Sequence, residues 1–171
     1  MKRKLSPASH VTLIGLLGAA AMVLSWLENT LPPLPVAGAR LGLANVAVTA
    51  AIALLGAPSG AAVGGIKVAF AFLTRGATAA LMACGGTLCA VFVTVLLLPL
   101  YRRERLTFFG VSVAASAAHS LGQLGAASLL LGGAVAAYAP LLLLVSLPTG
   151  IVTGLLLNIT VDRLRSVLSH I

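Results

Sequence analysis

Five polar side chains stand inside, or at the edge of, stretches that are otherwise almost wholly apolar: Arg40, Asn45, Lys67, His119 and Gln123. His119 and Gln123 are four residues apart and therefore share one face of a helix. A lysine in hydrocarbon costs about 2.5–3.5 kcal/mol on insertion scales, so Lys67 is expected to face protein and to have a partner. Glu28 is the only acidic residue expected on the same side as Arg40, and a cavity lined by these groups would prefer an anion such as a carboxylate or phosphate. Each residue also has a plainer role open to it. Lys67 could snorkel or tie a carbonyl, His119 and Gln123 could hydrogen-bond between helices, and Arg40 could anchor a loop.

Other chemistries are excluded by what surrounds these residues. Gly60 and Gly65 have the spacing of a phosphate-binding loop, but Ile66 precedes Lys67 and Val68 follows it, so the GxxxxGK[ST] pattern is not met. The acidic residues are Glu28, Glu104 and Asp162 alone, too scattered to hold Mg²⁺ and a diphosphate. Three separated histidines give no zinc pattern. We therefore expect no catalytic residues, no metal and no cofactor. Cys84 and Cys89 are about 140° apart on one helix, which rules out a bond between them.

The elements that must carry these residues follow from composition. The chain is 171 residues long, 60% hydrophobic and 8% charged, with a mean hydropathy of +1.11. A soluble domain has roughly 25% charged residues. The composition predicts an all-α integral membrane protein, one compact bundle of about six transmembrane helices, each crossing needing about 20 apolar residues. The spans are expected near 10–27, 41–56, 61–73, 78–101, 110–133 and 135–161. A turn is expected at Ala57 to Gly60, and a proline-bearing external loop over 28–40. Pro140 and Pro148 are expected to kink the last span. The apolar run after Lys4 is too long for a signal-peptide core and is kept as the first span. Gly15 and Ala19 give that span a small-xxx-small face, for packing within the bundle or against a partner helix.

The net charge is +8, and its distribution sets the orientation. With six spans, both termini share one side with Lys2, Arg3, Lys4, Arg102, Arg103, Arg105, Arg163 and Arg165, eight of the eleven basic residues. The positive-inside rule makes that side cytoplasmic, in a multi-pass protein of the inner (cytoplasmic) membrane. Basic clusters at span ends are topology signals, and no nucleic-acid partner is expected. Arg40 and Arg75 then fall at the outer ends of the second and third spans, with Asn45 about 7–8 Å below Arg40. Lys67, His119 and Gln123 fall near mid-membrane.

Two segments, PPLPVAGARLGLANVAV (Pro32 to Val48) and FFGVSVAASAAHSLGQL (Phe108 to Leu124), resemble a bacterial family of six-helix membrane proteins. The family is called the Gx transporter family or, by an older label, heptaprenyl diphosphate synthase component I. It resembles in turn the substrate-binding S components of energy-coupling-factor (ECF) transporters. The resemblance implies cytoplasmic termini, an outward site capped by the loop after the first helix, and binding of a small-molecule substrate. It also implies docking on a transmembrane scaffold subunit with ATPase subunits through Gly15 and Ala19. Arg40, Asn45, Lys67, His119 and Gln123 are the substrate-binding candidates. The older label implies instead a non-catalytic component of heptaprenyl diphosphate or quinone synthesis, and a stand-alone secondary transporter is a third reading.

Overall fold

The computed structural model describes residues 6–32 and 40–169. Among these the chain is all-helical: α1 (Pro7–Glu28), α2 (Asn45–Leu55), α3 (Ala57–Arg102), α4 (Phe108–Leu131), a 3-10 segment (Gly133–Tyr138) and α5 (Ala139–Ser169). Ser6 caps α1, its hydroxyl accepting from Ser9 N at 3.1 Å, and Pro7 takes the first helical position, where no amide hydrogen is needed. Thr107 caps α4 in the same way through Gly110 N.

The 46-residue α3 is two helices in succession. Gly76 has φ 82° and ψ −177°, a conformation open to glycine and costly for other residues. A Cβ built on Gly64 would stand 2.8 Å from Thr87 Cγ2. On a straight helix those residues would be about 35 Å apart, so the arms 57–75 and 77–102 fold back side by side. The same antiparallel order continues through the chain. Gly85 and Gly122 bring the second arm against α4, and Gly150 and Gly154 bring α5 against Val113 and Phe109 of α4. Such glycine-mediated crossings are the usual means of close helix packing where water supplies no drive between helices. Tyr101 stacks on Phe108 at 4.0 Å across the α3–α4 connection, and His10 Nε2 lies 3.0 Å from Ser59 Oγ, tying the start of α1 to the start of α3.

Among the described residues, three helical stretches are long and apolar enough to cross a bilayer: Pro7–Glu28, Ala57–Arg102 and Gly133–Val161. The outer surface is a coat of apolar side chains, with Leu129 88%, Leu73 81% and Val11 70% exposed, while Thr, Ser, Lys67, His119 and Gln123 are inside. That inverted arrangement suits a lipid environment. α4 is long enough to cross but carries Ser112, Ser116, His119, Ser120 and Gln123, all buried.

Some expectations need correction. The turn expected at Ala57 to Gly60 is the first turn of α3. Gly56, at φ 102°, makes the reversal alone, and Pro58 fits within the opening turn. The third helical segment is therefore 57–75 rather than the short 61–73. α2 covers only Asn45–Leu55, because residues 41–44 approach it as non-helical chain. α5 continues beyond 161 through Arg163 to Ser169, so the charged residues lie in a helix and do not end it. Pro140 sits in the first turn of α5. Pro148 lies inside it and lacks the amide that would bond Leu144 O; nearby, the Ser146 and Thr149 hydroxyls donate to the carbonyls of Leu143, Val145 and Ser146. Residues 33–39 of the expected loop, and Lys2 to Lys4, lie outside the described residues.

A Cβ on Gly122 would meet Gly85 O at 2.4 Å, whereas one on Gly125 of the same helix meets nothing within 4 Å. Gly122→Ala should therefore lower unfolding free energy in detergent by about 1–3 kcal/mol, and Gly125→Ala should leave it unchanged or slightly raised. Equal thermal midpoints for the two variants would contradict this helix crossing.

Candidate functional site

The chain re-enters the bundle at Arg40 as non-helical backbone, turns at Leu43 and Ala44, and becomes helical at Asn45. Its peptide groups need partners where water is scarce, and side chains from three directions supply them. Gln123 of α4 reads the Arg40 backbone on both sides: Arg40 N donates to Gln123 Oε1 at 2.8 Å, and Gln123 Nε2 donates to Arg40 O at 3.1 Å. Leu43 N donates to the Glu28 carboxylate at the end of α1. The Arg40 side chain closes the loop, its Nη1 donating to Glu28 O at 2.7 Å.

Beneath this clamp lie the remaining expected residues. Lys67, 4% exposed, donates from Nζ to Asn45 Oδ1 at 2.7 Å, so α3 and α2 are joined at the first residue of α2. His119, 1% exposed, is hydrogen-bonded through Nε2 to Gln123 Nε2 on its own helix, which makes His119 Nε2 the acceptor and fixes the tautomer. Arg40, Asn45, Lys67, His119 and Gln123, spread over more than eighty residues of sequence, thus form one connected group. Two glycines leave room for it. Gly42, at φ 88°, passes so close that a Cβ would meet Asn45 Nδ2 and His119 Cδ2 at 2.8 Å, and a Cβ on Gly86 would meet His119 Nδ1 at 2.6 Å.

The charge balance differs from the expected one. Glu28 is only 3% exposed and interacts electrostatically with Lys67 and Arg40. The group is therefore a set of cations around one carboxylate, and not a cationic lining with its acid elsewhere. Two signals in the sequence bear on Glu28: it is the acid that the charge count puts on the same side as Arg40, and a lysine within an apolar helix needs a partner. Arg75, at the end of the first arm of α3, also belongs to this neighbourhood, interacting with Arg40 and Glu28. Directly beside Asn45, residues Thr49, Ser112, Ser116 and Thr153 help enclose a cavity of about 10 Å³, near the smallest that admits one water molecule. Among the described residues no three His, Cys, Asp or Glu side chains come together as metal ligands.

Gly15 and Ala19 of α1 lie apart from this cluster. Both are exposed, and nothing lies within 4 Å of a Cβ built on Gly15. The neighbouring Gly18 makes the contact within the bundle, against Ile66.

Removing Glu28 leaves Leu43 N unpaired and the buried cations without their carboxylate. Glu28→Ala should cost about 1–3 kcal/mol, the range for leaving a buried donor without its acceptor, and Glu28→Gln, which keeps an acceptor for Leu43 N, should cost less. Denaturant titration in mixed micelles measures both. Wild-type stability in Glu28→Ala would show that the carboxylate does not hold the loop.

No curated protein and no solved structure matches the chain. The sequence family described as heptaprenyl diphosphate synthase component I matches residues 17–160. That stretch runs from the middle of α1 almost to Arg163 in α5 and includes Glu28 and all five clustered residues, and the chain belongs to this family.

Proposed function

We propose that the chain is the membrane substrate-binding subunit of an uptake transporter of the energy-coupling-factor type, taking a small anionic, vitamin-like or precursor solute from outside. The observation that carries this reading is the buried polar group at one end of the bundle, where Lys67, Asn45, His119 and Gln123 meet beneath the clamped residue Arg40. Polar and charged groups kept inside a membrane bundle at this cost mark solute or ion pathways. In this reading the helical segments make six crossings of the inner membrane, with both termini cytoplasmic and the clamp on the outer side. Release inside requires energy from elsewhere, since the chain has no nucleotide-binding loop. A transmembrane scaffold with ATPase subunits supplies it, docking on the open face of α1 at Gly15 and Ala19.

The family's description favours a second reading, a non-catalytic membrane component of heptaprenyl diphosphate synthesis. Against a catalytic part stands the poverty in acids: Asp162 is the only aspartate, and prenyl transfer of that kind relies on aspartates that hold Mg²⁺ and diphosphate. A secondary transporter would use the same site without ATPase partners.

Native mass spectrometry of the purified protein is expected to report a bound small molecule, retained by wild type and lost in Lys67→Ala and Arg40→Ala. Retention in both variants would remove these residues from the site. Affinity purification in mild detergent is expected to bring down ATPase and scaffold subunits, and Gly15→Leu should abolish that association without lowering the thermal midpoint. Recovery of a prenyl diphosphate synthase subunit in their place would decide for the second reading.

A further inference from the structure

We propose that Arg75 is the residue that receives the charged end of the solute, and that this end is an oxyanion, a carboxylate or phosphate, bound at the mouth of the buried group. The inference rests on the solute-binding reading above and names the chemistry of the same site.

The other cationic groups of the cluster already have partners. The Arg40 guanidinium donates to Glu28 O, and the Lys67 ammonium donates to Asn45 Oδ1. Gln123 is occupied with the Arg40 backbone, and the Glu28 carboxylate with Leu43 N. Arg75 differs from the other two cations: its Nη1 is buried and has no hydrogen-bond partner, a condition shared in the cluster by the uncharged Asn45 Nδ2 and His119 Nδ1. A buried donor without an acceptor costs free energy that a ligand acceptor would recover. Arg75 ends the first arm of α3, just before the left-handed Gly76. The carbonyls at that helix end are natural acceptors for a cation, yet Nη1 bonds none of them.

Charge points to the same ligand. Arg75 interacts with the like-charged Arg40 and Lys67 and with Glu28. At ordinary ionisation, Arg40, Lys67 and Arg75 against Glu28 leave an excess of two positive charges, which an anion of one or two charges would neutralise. A guanidinium offers a planar fork matched to carboxylate and phosphate oxygens. Arg75 is half-buried, so part of its side chain is exposed, and it takes no part in the Gln123 and Glu28 clamp. The cavity beside Asn45, at about 10 Å³, is too small for more than a water molecule.

The test uses the full chain in uncharged detergent micelles, with inorganic phosphate and succinate as probes and chloride at matched ionic strength as reference. Phosphate or succinate should raise the thermal midpoint of wild type above the chloride value. Arg75→Gln should weaken that binding about tenfold, the loss of one charge-assisted hydrogen bond, and Arg75→Lys by less. Arg102→Gln, at the C-terminal end of α3, should bind as wild type does. Because Arg75 Nη1 bonds nothing in the chain and Arg75→Lys keeps the charge that faces Glu28 and Arg40, Arg75→Lys should stay close to wild type in chloride alone. Equal anion binding by wild type and Arg75→Gln would overturn the assignment and leave the solute-binding reading standing. Arg75-dependent stabilisation by added phosphatidylglycerol, with none from the soluble anions, would make Arg75 a lipid headgroup anchor and overturn it as well. If wild type responds to no oxyanion, the assigned chemistry is wrong. Loss or retention of the co-purified molecule in Lys67→Ala then judges the broader reading separately.

Discussion

The fold depends on how five residues of non-helical backbone, Arg40 to Ala44, are accommodated among helices. Non-helical chain in an apolar interior carries amide and carbonyl groups that need partners, and only the carbonyls of Gly42 and Leu43 find them in the start of α2, at Asn45 N and Val46 N. Gln123 answers both polar groups of Arg40, and Glu28 answers the amide of Leu43. Because those side chains come from α4 and from the end of α1, satisfying the loop also fixes the separation of the two helices. Asn45, the next residue, starts α2 and receives the Lys67 ammonium from α3, so the same short segment orders four helices. Hydrophobic burial cannot do this in lipid, where an apolar side chain gains little by facing protein instead of hydrocarbon.

Close packing elsewhere makes that arrangement possible. Gly85 with Gly122, and Gly150 and Gly154 with α4, remove side chains where backbones cross. Gly86 and Gly42 leave His119 the space to stand upright between them. The polar group is thus enclosed by absent side chains as much as by present ones. The larger residues that a soluble core would bury, such as Leu129 and Phe92, are turned outward.

Much of this was legible in the sequence because hydrocarbon makes polar residues conspicuous. Lys67, His119 and Gln123 stand out against apolar neighbours, and the charge clusters order the spans well enough to put Arg40 and Asn45 at the same end. Glu28 was legible as the lone outer acid but not as a member of the cluster, since a carboxylate at a span end reads the same whether it turns to water or inward. Arg75 is hidden for the same reason. Helix limits failed where local backbone decided them. Pro58 reads as a turn residue, yet it suits the opening of a helix equally well, and the sharp reversal needed only Gly56. The pairing of Gln123 with the backbone of Arg40, eighty-three residues away in sequence, carries no local signal at all.

The hairpin at Gly76 also bears on how the chain enters the membrane. An arm carrying Lys67 partitions poorly by itself, while the arm after it contains the long apolar run ending in Val95 to Pro99. Joined by a single residue, the two can insert as a unit, with the second arm's transfer energy offsetting the ammonium's cost. α2, at 11 residues or about 16 Å, is too short to cross unaided and packs against α1, the hairpin and α5. The tightest turn of the chain thus sets the lysine beside an apolar neighbour, and Asn45 receives its ammonium.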